Sequence, residues 1–550
     1  METIDPSDPS PLLSNLETKK TEEKVKKVTF DDVLAELGEF GLEQKINYFL
    51  FSLPYILTSM QLMGWVFVGA NFPHRCRVPG DEPETWIQGS GLNSSFSEYN
   101  SDWESNSCSR RILGNTSLEE CTEGFVYHVS QGAGRGSSVT VDWNLVCSRE
   151  GMKATVGAAP MAGYLVGGLI FGVLTDKFGR KPTYFIANIL MAGGGILAAL
   201  APEFVSFVSA RILTGFAIAG IEASCFVMGM ELVGPSKRTL AGILCWFFET
   251  TGLLCTVALA YLLQENWRLL QVVYSAPALL CLVYWWIAPE SVRWLVARGR
   301  NEEARKLIYK AANRNKVTID ESLIHEMELS IKHELGEERT EKTYTAVDLF
   351  RYPVLRWKTL ILILCWVTCA SLYYVLLLDQ SELSEDKYIG FLMTAAVQLP
   401  GYVYVIFTLE RPAFGRKNSM CMFLILAGTA LFTHPFIPET YPRLKILISI
   451  IGRFAANCSY TILNLFSAEQ FPTVVRGVGM GFCVVVSRLG TMLAPYLLLL
   501  GRYSPCLFGV SALVSGLTAL LLPETLGQPM PETLQDGEEL TLSLPFKKTR

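Results

Sequence analysis

The feature that most constrains this chain is a series of apolar runs, each about 20 residues long, the length at which an α-helix crosses the hydrocarbon core of a bilayer. Twelve such runs occur, six before and six after a long polar stretch. They lie near 47–70, 153–174, 182–201, 204–230, 240–263, 269–288, 358–379, 388–409, 418–437, 445–466, 476–500 and 505–522. The pattern predicts an all-α membrane protein with twelve transmembrane helices in two six-helix bundles.

The composition points to the same class. Half of the residues are hydrophobic and 18% are charged, a balance that favours a polytopic membrane protein embedded in a lipid bilayer. The net charge of -5 does not indicate a nucleic-acid partner. The first 45 residues are polar and contain no apolar signal-peptide core, so we expect insertion to begin at the first run.

Charge near the runs predicts the topology. The polar stretch after the sixth run is rich in Arg and Lys, and basic residues favour the cytoplasmic side. An even number of spans then places both termini in the cytoplasm. The predicted segments are an N-terminal tail (1–46), a first bundle (47–288) with an extracellular loop (71–150), a cytoplasmic linker (289–357), a second bundle (358–522) and a C-terminal tail (523–550).

The loop after the first run carries the marks of an oxidising compartment. It contains sequons for N-glycosylation at Asn93 and Asn115, and four cysteines: Cys76, Cys108, Cys121 and Cys147. Four cysteines allow three pairings, and the sequence selects none of them. The remaining cysteines that we placed lie in apolar runs, where we expect packing roles. No spacing of cysteines and histidines indicates a metal site.

The loop between the second and third runs, from Gly172 to Lys181, reads GVLTDKFGRK. We expect Gly172 to let two helices approach closely, and Asp176 to meet the positive end of a neighbouring helix or an arginine. The pattern G-x-x-x-D-K-x-G-R-K resembles the loop after the second helix of the major facilitator superfamily. That resemblance implies a cytoplasmic network that locks the outward-open state, in which the loop residues Gly172, Asp176, Lys177, Gly179, Arg180 and Lys181 take part.

A faint internal repeat relates the two halves. Each half has an arginine that opens a run, a glutamate that closes it, and a second arginine seven residues later; each also ends on Pro-Glu. A weaker copy of the loop motif, ERPAFGRK, occupies 410–417. We interpret the repeat as a duplicated bundle. The residues that we assign to the gate in this way are Arg211, Glu231, Arg238, Glu290 and Arg293 in the first half, and Arg453, Glu469, Arg476 and Glu524 in the second.

Four further stretches narrow the resemblance. They are HRCRVP at 74–79, WNLVC at 143–147, PESVRWL at 289–295 and FPTVVRG at 471–477. Together they are similar to solute carrier family 22, the organic cation, anion and zwitterion transporters, over about residues 30 to 530. The resemblance implies two pseudo-symmetric bundles, a cysteine-linked outer loop, and a substrate cavity at mid-membrane between the bundles. We expect a monomeric transport unit in the plasma membrane.

Three ionisable residues fall near the middle of predicted spans: Glu222, Glu249 and Arg488. A charged side chain there costs at least about 2.5 kcal/mol unless it faces a partner or a wet cavity, so each is a functional candidate. Within the family, Arg488 stands where the anion and carnitine-type transporters resemble each other in having arginine, whereas the cation transporters have aspartate. Gln398 stands where many relatives have an acidic residue, so we count it among the substrate-contacting candidates, and its neutral side chain argues against a simple cation transporter.

Both glutamates stand where relatives have neutral cavity residues. Two carboxylates opposite one arginine would match a substrate that carries an amine and a carboxylate. The alternative is an internal salt bridge, for example between Glu222 and Arg211. Trp366, Tyr373 and Tyr374 lie on one side of the seventh run and resemble the family's aromatic cavity wall, which can hold an ammonium group by cation–π attraction.

These features predict a carrier of small organic zwitterions that works by alternating access. An organic anion exchanger, in which the glutamates are structural, is the first alternative; an organic cation transporter and a receptor without flux follow. No phosphate-binding loop or nucleophile elbow occurs, so an enzyme is not indicated and no cofactor is expected. The sequence leaves open whether sodium, protons or neither drive transport.

Overall fold

The computed structural model describes residues 30–77, 86–88, 103–105, 108–112, 119–121, 124–129, 138–263, 266–338, 345–379, 386–409, 411, 414–438, 440–528, 531 and 534–539. The chain forms two compact units. We call the first the linker unit: it consists of residues up to Ile46 with Glu231–Lys237 and Ser291–Thr343. The second, the membrane unit, consists of Asn47–Met230, Arg238–Glu290 and Tyr344–Arg550.

The first six spans are numbered in chain order. Span 1 is broken into three helices, and span 6 into four short segments that include a 3₁₀ turn. Pro54 and Pro277 each stand at the start of one of these helices, where proline removes a backbone donor. Span 1 comprises Leu42–Ser52, Pro54–Met63 and Trp65–Val68; spans 2 to 5 are Glu150–Phe178, Arg180–Ala199, Phe204–Glu231 and Arg238–Leu262; span 6 comprises Trp267–Ser275, Pro277–Leu280, Cys281–Val283 and Tyr284–Ile287.

The last six spans form the second bundle. Spans 7 to 12 are Pro353–Leu378, Lys387–Thr408, Arg416–Thr433, Pro442–Gln470, Thr473–Leu498 and Ser504–Ala519. A 3₁₀ turn, His434–Phe436, extends span 9, and another, Gly501–Tyr503, precedes span 12. The short helices Asp348–Arg351 and Leu534–Glu539 flank the bundle in sequence. In the described part of the chain, eleven helices are long and apolar enough to cross a membrane, whereas span 12 has only 16 helical residues.

Glycines allow the closest helix contacts. A methyl group added to Gly163 on span 2 would overlap the backbone carbonyl of Ile212 on span 4, and one added to Gly215 would overlap the carbonyl of Pro160. Lipid offers no hydrophobic drive for association between helices, so membrane helices associate where small residues let their backbones pack closely. Spans 2 and 4 are therefore joined at a contact that tolerates no larger side chain.

The two bundles meet along two pairs of helices: span 2 packs on span 11, and span 5 packs on span 8. Tyr374 donates a hydrogen bond to the Gly157 carbonyl at 2.6 Å, and Tyr496 to the Thr155 hydroxyl at 3.0 Å. The Phe67 ring stacks 5.4 Å from that of Tyr388. Phe67 lies at the end of span 1, and Thr155 and Gly157 lie in the first turns of span 2, so these contacts join the bundles where spans 1 and 2 border the cysteine-containing loop.

The described parts of the loop between spans 1 and 2 contain two small sheets. In one, Phe125–Val129 pairs antiparallel with His74–Cys76 and parallel with Trp86–Gln88; in the other, Trp103–Ser105, Ser109–Ile112 and Glu119–Glu120 are antiparallel. The helix Val139–Asp142 and a 3₁₀ turn, Cys147–Arg149, lead into span 2.

Disulfides join these pieces in a pairing that the sequence left open. Cys76 is bonded to Cys121 and Cys108 to Cys147, with Cα atoms 5.2 and 5.6 Å apart. His74 lies beside Cys108 and Cys147, but the disulfide leaves these sulfurs without the thiolate charge that a metal ligand needs. The sequons at Asn93 and Asn115 lie outside the described residues.

The linker unit has its own apolar core. It contains the helices Phe30–Glu36, Val292–Ala297, Asn301–Asn315 and Glu321–Glu338, and a 3₁₀ turn, Pro235–Lys237. Its buried side chains include Val33, Leu34, Leu37, Leu295, Ile308 and Met327. Arg314 pairs with Glu43 at 2.6 Å and Arg305 with Glu328 at 2.8 Å. Part of the predicted N-terminal tail and part of the predicted linker therefore fold as one unit, which the sequence analysis did not anticipate.

Candidate functional site

Arg488 lies on span 11, at the interface between the bundles. Its guanidinium carbon is 3.9 Å from the centroid of the Tyr164 ring on span 2. The side chain is half-buried, and its Nε atom is buried without a hydrogen-bond partner. No described carboxylate lies within 4.0 Å of the guanidinium. A cation–π contact does not satisfy N–H donors, so the group retains donors for an incoming anion.

Glu222 lies on span 4 and shares Tyr164 with Arg488. The Tyr164 hydroxyl donates to Glu222 Oε2 at 2.7 Å. The hydroxyl of Tyr55, on span 1, lies 3.4 Å from the Glu222 backbone carbonyl. The carboxylate is half-buried. One tyrosine thus contacts both a cation from the second bundle and a carboxylate from the first.

Glu249 lies on span 5 and contacts the second bundle directly. Its Oε1 accepts a hydrogen bond of 3.0 Å from the hydroxyl of Tyr373 on span 7. The Tyr373 ring stacks on Tyr460 with a centroid distance of 5.3 Å, and Trp246 meets Tyr460 edge-on at 5.5 Å. A half-buried carboxylate beside three aromatic rings is an environment that suits an ammonium group.

Three other residues that we predicted to contact substrate are buried and hydrogen-bonded to other parts of the protein in this conformation. Trp366 is 1% exposed and donates to Ser467 within the second bundle, and Tyr374 is 2% exposed and bonded to Gly157. Gln398 is 4% exposed, and its side-chain oxygen accepts from Thr250 at 2.9 Å. All three side chains are thus buried in this conformation, which neither the family position nor the spacing predicted, and their contact with substrate stays a prediction.

We did not identify Tyr164 or Tyr460 from the sequence. Counting residues from the end of each span would have placed both near mid-membrane. Tyr164 lies 14 residues before Phe178, where span 2 ends, and Tyr460 lies 10 residues before the end of span 10. At about 1.5 Å per residue, both stand near mid-membrane, at a depth comparable to that of Arg488.

Arg211 and Arg453 occupy equivalent places in the two bundles. Arg211 donates to the Gln61 carbonyl on span 1 at 3.0 Å, and its guanidinium lies 6.0 Å from the Trp65 ring. Arg453 donates to the carbonyls of Leu376 and Asp379 at the end of span 7. Buried arginines that bind unsatisfied carbonyls stabilise broken or ending helices. Arg211 is thus engaged with span 1 rather than paired with Glu222.

The loop motif brings a carboxylate to the start of a helix. Gly179 has a φ of 103°, a conformation that disfavours side chains, and it lets the chain turn into span 3. The backbone N–H groups of Arg180 and Lys181 both donate to Glu290, at 3.1 and 3.2 Å. A carboxylate at this position satisfies free donors and matches the helix dipole.

Asp176 and Lys177 both make contacts within the loop itself. Asp176 lies 3.5 Å from Arg180, and its side chain is 81% exposed; the Lys177 ammonium lies over the Phe178 ring. At Gly172 an added Cβ would meet nothing within 4 Å. Gly172 therefore does not mediate a close helix contact here, contrary to prediction; span 2 makes its close contacts with span 4 at Gly163 and Gly167.

The weaker copy of the motif has the same geometry. Gly415 has a φ of 66°, and the N–H groups of Arg416 and Lys417 donate to Glu524 at 2.9 and 3.1 Å. A Cβ on Gly415 would lie 2.5 Å from the Glu524 carboxylate. The Pro-Glu endings that we read as a repeat thus perform one task twice: each anchors the N-terminus of a helix.

Glu469 and Arg476, which we assigned to the gate together, bind different partners. Its carboxylate pairs with Arg416 and accepts a hydrogen bond of 2.6 Å from Thr525. Arg476 donates instead to Thr473 at 3.2 Å. A helix break between spans 10 and 11 separates the two residues, so a seven-residue spacing does not place them on one face.

The other gate residues lie at helix ends. Glu231 is the last residue of span 4, Arg238 is the first of span 5, and Arg293 is exposed on the helix Val292–Ala297. Their part in gating stays a prediction.

We expect Glu524→Ala to destabilise the protein by about 1–2 kcal/mol, because two backbone donors and the helix dipole lose their carboxylate. The midpoint of thermal unfolding of the purified full-length protein in detergent should fall by a few degrees. The exposed linker-unit variant Glu302→Gln serves as control. An unchanged midpoint for Glu524→Ala would show that the anchor contributes nothing.

Comparisons with known proteins agree with this architecture. Residues 100–535 match the family model of sugar (and other) transporters. An organic cation transporter protein of Drosophila melanogaster is 38% identical over 523 residues, covering 92% of this chain and 94% of the relative. Solute carrier family 22 member 13 of Homo sapiens is 35% identical, covering 92% and 93%, and human organic anion transporter 3 is 30% identical, covering 94% of each.

Solved structures show the same fold at low identity. The xylose transporter XylE from E. coli, in a partially occluded inward-open conformation, aligns with a TM-score of 0.59 at 16% identity over 90% of this chain and 100% of that one. The proton:xylose symporter XylE bound to 6-bromo-6-deoxy-D-glucose aligns with a TM-score of 0.53 at 21% identity, covering 72% and 90%. The predicted twelve-helix, all-α transporter fold is confirmed.

Fold and family match together define a membrane-embedded transporter of the major facilitator type, and its relatives are transporters rather than enzymes. More narrowly, the chain belongs to solute carrier family 22, and it is a multi-pass transporter of small organic ions.

Proposed function

We propose that this protein carries small organic zwitterions, such as amino-acid-derived or carnitine-like molecules, across the plasma membrane. The observation that carries the proposal is Arg488: a half-buried guanidinium between the bundles without a carboxylate partner among the described residues, near two glutamates. A membrane protein keeps such a charge where it has a partner to bind. The missing partner would be the carboxylate of the substrate.

Each end of a zwitterion has a counterpart in the site. Arg488 would hold the carboxylate with two parallel hydrogen bonds, a geometry that guanidinium provides and ammonium does not. Glu249 would hold the amine, with Tyr373 and Tyr460 against the body of the substrate. Glu249 is the better amine site of the two glutamates because it borders the aromatic rings, whereas Glu222 is bonded to the tyrosine under Arg488.

Alternating access requires the bundles to separate at each end in turn. In this structure they are joined near the cysteine-containing loop, at Tyr374–Gly157 and at Tyr496–Thr155. With that loop outside and both termini in the cytoplasm, as the basic residues favour, these contacts would break when the transporter opens outward. One chain contains both bundles, so we propose a monomeric transport unit.

An organic anion exchanger is the second candidate. The observation that favours it is that both glutamates are already hydrogen-bonded to tyrosines, as structural carboxylates would be. One relative is named organic anion transporter 3. In that case Arg488 alone would bind the substrate, and the glutamates would not contact it.

A matched trio of labelled substrates distinguishes the two: a zwitterion, its analogue without the amine and its analogue without the carboxylate. We expect wild-type cells to prefer the zwitterion. Glu249→Gln should lower zwitterion uptake about 10-fold or more, since a hydrogen bond to a charged group contributes about 1.5–3 kcal/mol. Uptake of the amine-free analogue should change little. Unaltered zwitterion uptake in Glu249→Gln would favour the anion exchanger.

A further inference from the structure

The charges of the site do not balance for a zwitterion. Arg488 contributes one positive charge, and Glu222 and Glu249 contribute two negative charges, so the ionised site has a formal sum of -1. A zwitterion on Arg488 and Glu249 pairs two of the three groups and leaves Glu222 unpaired. Resting on the function proposed above, we propose that one proton travels with each zwitterion, carried on the carboxylate of Glu222.

Geometry selects Glu222 as the proton carrier. Its Oε2 is 2.7 Å from the Tyr164 hydroxyl, and the Arg488 guanidinium lies on the ring of the same tyrosine at 3.9 Å. In the empty site, Glu222 is thus a carboxylate that shares a contact residue with Arg488. A substrate carboxylate that arrives at Arg488 brings a second negative charge close to Glu222. Like charges in one site disfavour double ionisation, so binding of the substrate favours uptake of a proton by Glu222.

The surroundings of Glu222 contain one positive group. The titratable and charged side chains that interact with Glu222 or face it from the helices packed around it are Tyr55, Tyr164, Cys225, Cys245, Glu249, Tyr460 and Arg488. The tyrosines and cysteines are neutral at physiological pH. When a substrate carboxylate occupies Arg488, no second cation among these groups remains to balance Glu222.

Glu249 is unsuited to the same task. Its charge is needed for the substrate amine, and its hydrogen-bond partner Tyr373 belongs to the opposite bundle. With a proton on Glu222, the loaded site consists of two ion pairs and one neutral acid. An unpaired charge inside a membrane is costly, so this neutral, fully paired site is the form best able to close around its cargo.

The inference is tested in cells that express the full-length protein, with a labelled zwitterion as probe. External pH is lowered from about 7.5 to about 5.5, a range in which perturbed carboxylates titrate. We expect wild-type uptake to rise several-fold, with acidification of the cytosol and an inward current of about one charge per zwitterion transported. Glu222→Gln, which is permanently neutral, should still take up the zwitterion, but without pH dependence or acidification. The control Glu302→Gln should behave as wild type.

A second variant keeps the test decisive if Glu222→Gln does not fold. Tyr164→Phe removes the hydroxyl that favours the charged carboxylate, so the external pH of half-maximal uptake should shift upward.

The proton proposal is overturned if wild-type zwitterion uptake occurs without acidification, or if Glu222→Gln retains the pH dependence. It is also overturned if only substrates with two amines and one carboxylate are carried, since Glu222 would then bind the second amine. If Arg488→Ala still carries carboxylate-bearing substrates, the proposed function itself fails, whatever the pH response.

Discussion

Replacing Arg488 by alanine should reduce uptake of carboxylate-bearing substrates about 100-fold, because removing one partner of a desolvated, hydrogen-bonded charge pair costs about 2–5 kcal/mol. Uptake by Arg488→Lys should lie between that of Arg488→Ala and that of wild type. This variant keeps the charge but replaces a planar, bidentate donor by a single ammonium, and it loses the contact of the guanidinium with the Tyr164 ring. Initial uptake rates, normalised to protein at the cell surface, provide the measurement.

The control for this prediction is the substrate analogue that lacks a carboxylate. Its uptake should not fall in Arg488→Ala, because the loss is specific to the anionic end of the substrate. Normal uptake of carboxylate-bearing substrates by Arg488→Ala would contradict the assignment. An equal loss for all analogues would instead indicate a structural role for Arg488 in joining the bundles at Tyr164.

Gly215→Leu should abolish production of the mature transporter. The added side chain would enter the backbone of span 2 at Pro160, at a contact where even a methyl group overlaps. Overpacking a core typically costs about 1–3 kcal/mol when side chains can yield. Here the obstacle is backbone, so the helices must separate. Surface labelling and the yield of monodisperse protein in detergent should both fall to background.

The matched control is Gly172→Ala on the same helix pair. An added Cβ at Gly172 meets nothing within 4 Å, so surface expression should stay near the wild-type level even though Gly172 opens the loop motif. If Gly172→Ala eliminated the protein and Gly215→Leu did not, the helix packing described here would be wrong.

The sequence alone predicted the elements whose cause is local. Twelve runs of membrane length follow from hydropathy, and the structure places a helix or a series of helices at each. The Pro-Glu endings and the two loop motifs follow from repetition, and they correspond to matched helix anchors. Charges inside apolar runs identified Arg488, Glu222 and Glu249, because such residues are rare enough to require a reason.

Tertiary structure decided which side of each helix faces the other bundle. In water, an apolar stripe marks the buried face, but lipid tails are as apolar as a protein core, so the same pattern does not separate a lipid face from a packing face. This is why the burial of Trp366 was not predicted and Tyr164 was missed. The disulfide pairing and the pair formed by Glu469 with Arg416 likewise depend on which segments the fold brings together. The sequence by itself determined the class of the protein and its buried charges; only the assembled helices determined that Arg488 and Glu222 share one tyrosine.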